Sequence, residues 1–149
     1  MNYEFDWSAV WNPSAWLEAI AVTIGYGLAT TVAGLVLGLI LGLLLVSRIR
    51  AARAAVSVFI GIFRCTPALI QIVWFYYAFP MALNINMPAW LAAGCGLTFY
   101  MAAFSAEIFR GGIQSIEKGQ WNASRSLCLT HWQMMYYVIL PQTFRRMTP

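Results

Sequence analysis

Long apolar runs separated by short polar segments make up most of this sequence. No Asp, Glu, Lys or Arg occurs between Glu18 and Arg48, or between Arg64 and Glu107. A membrane-spanning helix needs about 20 predominantly apolar residues, so the first gap holds one span and the second is long enough for two. Prolines and asparagines in the segment 80–88 divide the second gap. The pattern predicts spans at about 19–46, 56–79 and 88–107.

The composition supports an all-helical integral membrane protein. Hydrophobic residues make up 61% of the chain and charged residues 9%, whereas soluble domains are about 45–50% apolar and about 25% charged. The apolar runs are continuous, which disfavours a β-barrel, whose strands alternate polar and apolar residues.

Chemistry-bearing motifs are absent from the sequence. Cys65, Cys95 and Cys128 lie too far apart for a ligand pattern such as C-x-x-C and are predicted to be reduced packing residues. The single histidine, His131, is expected at a surface or interface. A phosphate-binding loop and a nucleophile elbow are also missing. The sequence therefore predicts neither catalytic residues nor a metal or cofactor.

The basic residues predict the orientation in the membrane. The segment 1–18 contains no Lys or Arg, and neither does the turn at 80–88. The nine cations lie after the first span, near the start of the second or after the third, and they are Arg48, Arg50, Arg53, Arg64, Arg110, Lys118, Arg125, Arg145 and Arg146. By the positive-inside rule, the N-terminal segment 1–18 lies outside, and the loops after the first and third spans are cytoplasmic.

Small residues predict a packing face on the first span. Gly34, Gly38 and Gly42 recur every four residues, and small side chains at this spacing let another helix approach closely. We interpret this stripe as a general helix-packing face rather than as a signal for a homodimer.

Several polar residues are candidates for a pathway or gate. Thr66 can cap a helix and Pro67 suits its first turn, so the second span is expected to begin before Pro67 and to kink there. Arg64 near this kink is either a functional group or an anchor that reaches the interface. Gln71, one turn further on, needs a protein partner rather than lipid.

Glu107 and Arg110 form a second candidate pair at the end of the third span. They are three residues apart and can pair on one helix face. This pair either anchors the cytoplasmic end of the helix or contributes to a polar cavity. The following segment, 108–140, is helix-forming, polar and positioned between membrane segments, as expected for a cytoplasmic docking loop.

The docking loop carries the most specific pattern in the chain. Asn122-Ala123-Ser124 is followed after three residues by Cys128, and after nine more by Val138-Ile139-Leu140-Pro141. This spacing resembles the Glu-Ala-Ala, three residues, Gly, nine residues, Ile-x-Leu-Pro loop of the permease subunits of bacterial ATP-binding-cassette (ABC) importers. Phe63-Arg64-Cys65-Thr66-Pro67 with Gln71 is similar to the Phe-Arg-Gly-Thr-Pro-x-x-x-Gln run of the polar amino acid branch. Tyr3-Glu4-Phe5-Asp6-Trp7-Ser8 and Thr130-His131-Trp132-Gln133 look most like glutamate/aspartate permeases.

The resemblance implies a fold and a function. The fold is the transmembrane domain of a type I ABC importer, here incomplete, with three spanning helices, cytoplasmic coupling helices and the start of a fourth span over 19–149. The function is that of a permease subunit in the bacterial inner membrane, which forms the pathway for an amino acid and carries out no chemistry itself. The implied partners are a cytoplasmic ATPase, a second permease subunit, a periplasmic amino-acid-binding protein and membrane lipid.

The resemblance assigns the coupling-loop residues, and the polar positions described above provide the pathway candidates. The coupling loop comprises Gly119, Gln120, Asn122, Ala123, Ser124, Leu127, Cys128, Leu140 and Pro141. The pathway or gate residues comprise Arg64, Thr66, Pro67, Gln71, Glu107 and Arg110.

The chain departs from the family pattern in three residues and in length. Asn122 replaces the loop Glu, Cys128 replaces the loop Gly, and Cys65 replaces the Gly before Thr66. The family core has five spans, so the chain is expected to be truncated. Two alternatives remain: a non-transporting fragment, and a small membrane scaffold that retains only ATPase docking. A membrane redox enzyme is disfavoured, because it would need paired His ligands or several intramembrane acids.

Overall fold

The computed structural model describes residues 11–147, which are helical and contain no strand. Most of the predicted outer segment, 1–18, lies outside the described residues. The elements are α1 (Pro13–Leu45), α2 (Arg50–Cys65), α3 (Ala68–Val73), a π-helical turn (Trp74–Ala78), α4 (Phe79–Leu83), α5 (Ala89–Gln114), α6 (Lys118–Ser126), α7 (His131–Met134), a second π-helical turn (Met135–Ile139) and α8 (Leu140–Met147).

Helix α1 is longer than a membrane requires. It begins at Pro13, before the predicted start at residue 19, because the Asn12 side chain accepts a hydrogen bond from the Ala15 amide and Pro13 suits the first turn. Its 33 residues rise by about 50 Å, which exceeds the ~30 Å hydrocarbon core. The helix must therefore tilt or protrude from the bilayer.

Helices α1 and α5 pack side by side in the same direction. Cβ atoms built on Gly34, Gly38 and Gly42 would meet Met101, Ser105 and Phe109 respectively, so both sequences advance by four residues per contact. This confirms the predicted packing face. The Ser105 hydroxyl lies 3.3 Å from the Gly34 carbonyl oxygen, to which it donates a hydrogen bond. Parallel packing places the C-terminal ends of α1 and α5 on the same side of the bundle.

The predicted second span is not one continuous helix. Helix α2 ends at Cys65, and the chain turns by 107° before the helical segment Ala68–Leu83 begins. The break lies at the predicted kink, because Pro67 has no amide proton and the residue before a proline is driven to extended backbone. Thr66 is extended, with ψ 127°. Its hydroxyl donates to the Ile62 carbonyl instead of capping the next helix.

Aromatic rings fill the space inside this bend. The rings of Phe59 and Phe63 on α2 lie 4.4 Å apart, centroid to centroid, and Phe99 of α5 lies 5.4 Å from Phe63. Phe75, beyond the bend, lies 5.5 Å from Phe99. Helix α5 therefore supports both arms of the bend.

Helix α5 continues to Gln114, beyond the predicted end at Glu107. The residues after Glu107 remain helical because Phe109 and Ile113 are buried. Ile113 packs with Ile116, Met134, Met135 and Ile139 in a small core beneath the docking segment. The residues that follow α5 thus have a hydrophobic core of their own.

By length and composition, α1 and α5 are each able to span a membrane, and the bent pair Arg50–Cys65 with Ala68–Leu83 provides a third span if it crosses as one unit. Many large apolar side chains on α1 face outward, among them Val22, Leu28 and Val32. Contact of such a surface with lipid or with further helices is favourable, whereas contact with water is unfavourable.

Candidate functional site

The predicted docking loop contains a short exposed helix, which lies between two residues that pack into the core. Helix α6, Lys118–Ser126, follows Ile116 and precedes Leu129, and both of these side chains pack into the core beneath it. Trp121 of α6 packs against the same core. The helix is therefore held from below, while most of its side chains face solvent.

The structure divides the predicted coupling residues into two groups. Ser124 is buried, and its hydroxyl donates to the Gln120 carbonyl at 2.7 Å; Leu140 is half-buried. The remaining residues are exposed: Gly119, Gln120, Asn122, Ala123, Leu127, Cys128 and Pro141. Within α6, a partner would therefore contact the face that contains Gly119, Asn122 and Ala123, and not Ser124.

Cys128 terminates the docking helix in a left-handed conformation. Its φ is 54°, a region that favours glycine. The Cys128 amide donates to the Arg125 carbonyl and the Leu129 amide donates to the Ser124 carbonyl, which is the Schellman arrangement. This geometry gives a physical reason for glycine at the corresponding family position, and it makes Cys128 a strained substitute.

Polar contacts tie the N-terminal end of α6, and the turn that precedes it, to α8. The Gln142 amide donates to the Gln120 side-chain oxygen at 3.1 Å. Arg146 donates to the Ser115 carbonyl at 2.6 Å and forms an ion pair with Glu117 at 3.2 Å. A force applied to α6 therefore reaches both α5 and α8.

The Gln71 side chain satisfies two backbone carbonyl groups at the bend. Its side-chain amide donates to the carbonyl oxygens of Phe63 at 2.7 Å and Thr66 at 2.9 Å. Phe63 lies four residues before Pro67, which cannot supply the usual helical amide, so Gln71 takes its place. Gln71 is only 4% exposed. Its Oε1 atom is buried, without a hydrogen-bond partner among the described residues.

The structure places the remaining pathway candidates along one face of α5. The Arg64 guanidinium lies over the Phe104 ring, 5.4 Å from its centroid. Glu107, one turn further along α5, accepts hydrogen bonds from Arg110 at 2.6 and 2.9 Å. Arg110 also donates to Gln114 at 3.0 Å. The predicted Glu107–Arg110 pair is therefore present.

Sequence reasoning missed three residues of this arrangement. Phe104 contacts Arg64, Gln114 contacts Arg110, and Gln142 contacts Gln120. The spacing of Phe104 to Glu107, and of Arg110 to Gln114, is a helical i,i+3 or i,i+4 relation that the sequence contained. The contact of Gln142 with Gln120 depends on tertiary packing and had no sequence signal.

These features define a class of membrane protein: a helical permease subunit with an exposed docking helix. The family model for the inner membrane component of binding-protein-dependent transport systems matches residues 34–149. The chain belongs to this family.

Relatives and a solved structure agree with the assignment. The chain is 33% identical to the glutamate/aspartate import permease protein GltK of Escherichia coli O6:H1, over 99% of this chain and 69% of the relative. It is 36% identical to the glutamine transport system permease protein GlnP of Escherichia coli K12, over 98% of this chain and 68% of the relative. The crystal structure of an amino acid ABC transporter with histidines superimposes with a TM-score of 0.81 at 32% identity, over 99% of this chain and 68% of that one.

Proposed function

We propose that this chain forms one half of the translocation pathway of an ATP-driven importer for a polar amino acid, with glutamate or aspartate as first candidates. The observation that carries the proposal is the exposed helix α6, which is braced against α8. The relatives of this chain include permeases for glutamate/aspartate and for glutamine. These relatives support an amino acid as the transported solute.

The partners follow from the division of labour in such importers. Helix α6 docks on a cytoplasmic ATPase, a second permease subunit completes the pathway, and a periplasmic binding protein delivers the amino acid. Because α6 is tied to α8, and α8 to the end of α5 through Arg146 and Ser115, closure of the ATPase pair moves these helices together and switches the pathway between outward-facing and inward-facing states. ATP is hydrolysed by the partner and not by this chain.

The proposed orientation places the N-terminus outside and α6 in the cytoplasm of a multi-pass inner-membrane protein. The distribution of cations supports it. The parallel packing of α1 and α5 supports it as well, since both loops that follow these helices then lie on one side. Labelling of single cysteines introduced at positions 6 and 118 tests the orientation. The result that refutes it is labelling of both positions from the same side in intact cells.

Two native cysteines provide a docking test with a matched control. Cys128 and Cys65 are both exposed, but only Cys128 adjoins α6. Two single-cysteine chains are made: C65S/C95A, which retains Cys128, and C95A/C128S, which retains Cys65. Each is co-expressed with the ATPase and treated with a short thiol-to-amine crosslinker. We expect an ATPase adduct from Cys128 and not from Cys65. Adducts from Cys65 alone would place the docking surface elsewhere.

Uptake distinguishes transport from docking without transport. Cells that contain the chain, its ATPase and its binding protein are given labelled glutamate, aspartate or glutamine. Uptake that requires the chain supports the permease function. A Cys128 adduct without uptake of any polar amino acid would favour a scaffold that retains only ATPase docking.

A further inference from the structure

A large cavity lies between the end of α1 and the docking segment. Its volume is about 1260 Å³, somewhat above the range of about 300–1000 Å³ for small-molecule sites. One wall is formed by the last turns of α1 and the connection to α2, from Ile40 to Arg53. The opposite wall is formed by the end of α5, by α6 and by the segment from His131 to Met135. These walls meet on the side where α1 and α5 both end.

The charge in this cavity has one sign. Four Arg or Lys side chains line it, and they are Arg48, Arg53, Lys118 and Arg125. His131 also lines the cavity, and no Asp or Glu is among the described lining residues. The ion pairs within residues 11–147 involve Arg110 and Arg146, which lie outside this lining. The cavity therefore lacks the negative charge that would neutralise it.

Most of the remaining lining is apolar or aromatic, and Ser47, Gln114 and Asn122 are its uncharged polar residues. Ile40, Leu43 and Leu44 of α1 line it, and Leu43 packs against the core that contains Ile113 and Met135. Trp121 and Trp132 also line it, and tryptophan favours the level of the lipid head groups. A free inorganic anion would contact the cations and leave these apolar walls in water. An amphiphile with an anionic head and a hydrocarbon tail satisfies both surfaces.

We propose that this cavity binds an anionic phospholipid of the cytoplasmic leaflet, with the phosphate among the four cations and an acyl chain along the end of α1. The proposal rests on the proposed orientation, which puts this end of the bundle at the cytoplasmic membrane surface. A bound lipid would bridge α1 and α6. The lipid composition would then influence how firmly the docking helix is held.

Brominated lipids test the proposal through tryptophan fluorescence. The full chain is reconstituted into nanodiscs of phosphatidylcholine that contain a minor fraction of brominated phosphatidylglycerol or, in a parallel sample, of brominated phosphatidylcholine. We expect severalfold stronger quenching by the anionic lipid. Most of the excess should vanish in a Trp121→Phe/Trp132→Phe chain, because both of these tryptophans line the cavity. Equal quenching by the two lipids would overturn the proposal, whatever else occupies the cavity.

Paired charge variants separate a defined site from general surface charge. Arg48→Gln with Arg53→Gln removes two lining cations. Arg50→Gln with Arg145→Gln removes two exposed cations that do not line the cavity. The first pair should abolish most of the excess quenching and the second should retain it. Equal loss in both pairs, or displacement of the lipid by inorganic phosphate, would refute a lipid site.

The test is independent of ATPase docking. The Arg48 and Arg53 positions lie outside α6, so the Cys128 adduct to the ATPase reports separately on the proposed function. If the anionic lipid gives no excess quenching and the Arg48→Gln/Arg53→Gln chain loses the Cys128 adduct, the cavity is part of the ATPase surface and the lipid proposal is wrong. If the excess quenching is present and the Cys128 adduct is absent, the lipid site stands and the docking proposal fails.

Discussion

Replacing Gly38 by alanine should separate the two longest helices of the bundle. A Cβ at this position would lie 2.0 Å from the Ser105 hydroxyl oxygen, 2.9 Å from the Ser105 Cβ and 3.0 Å from the Ala102 carbonyl oxygen. Ordinary contacts of a Cβ lie at 3.4–4 Å. Rotation of the Ser105 side chain relieves only the first contact, since the other two atoms are fixed to the backbone of α5. The helices must therefore move apart.

The magnitude follows from two opposing effects. Overpacking a close interface costs about 1–3 kcal/mol. Separation also loses the 3.3 Å contact of the Ser105 hydroxyl with the Gly34 carbonyl, which adds less than about 1 kcal/mol because the hydroxyl keeps its shorter hydrogen bond to the Met101 carbonyl at 2.7 Å. Alanine regains up to about 1 kcal/mol of helix propensity. We expect a net loss of about 1–3 kcal/mol for Gly38→Ala.

A matched control lies on the same helix. A Cβ at Gly27 meets nothing within 4 Å, so Gly27→Ala should be neutral or slightly stabilising. Thermal stability of detergent-solubilised chains, followed by size-exclusion chromatography, compares the two. Ser105→Gly in the Gly38→Ala background should restore part of the loss, because it removes both serine contacts. Equal melting temperatures for the Gly38 and Gly27 variants would refute the close packing of α1 on α5.

Four further substitutions, at three positions, test the site. Cys128→Gly should raise the free energy of unfolding by up to about 1 kcal/mol, and Cys128→Val should lower it by about 1–2 kcal/mol, because φ is positive there; the reverse order in a thermal melt would contradict the helix end described. Gln71→Leu should cost about 2–4 kcal/mol, because two carbonyls at the bend lose their donor; an unchanged melting temperature would exclude this role. Glu107→Gln should change stability by less than about 1 kcal/mol, since its pair with Arg110 is partly exposed. A larger loss in the same melt would show that the pair is buried in an assembly.

The sequence predicted those parts of the fold that depend on composition and local spacing. Charge-free stretches located α1 and α5, and the glycine spacing identified the face of α1 that packs. Thr66-Pro67 located the break in the second segment. The size of the bend was not predictable, because the apolar pattern of α2 is equally compatible with a continuous span. The angle depends on Gln71 and on aromatic rings contributed by three separate segments.

The ends of the helices and the cavity were also not predictable from the sequence. Glu107 and Arg110 indicated where α5 becomes polar, but a helix continues wherever backbone hydrogen bonds and buried residues support it, as Ile113 does here. The spacing within the docking loop identified Cys128 correctly as a glycine-like position. The cavity joins residues from α1, α2, α5, α6, α7 and the second π-helical turn, so no local pattern could have predicted it.

Each π-helical turn ends two residues before a proline that lies within a helix. Trp74–Ala78 precedes Pro80, and Met135–Ile139 precedes Pro141. Each turn accommodates one residue more than an α-helical turn, and it widens the helix where the proline ring would otherwise strike the preceding carbonyl. One extra residue rotates everything beyond it by about 100°. Deleting a single residue from either turn would thus reassign the inward and outward faces of the helix that follows, whereas the same deletion in a surface loop would leave those faces unchanged.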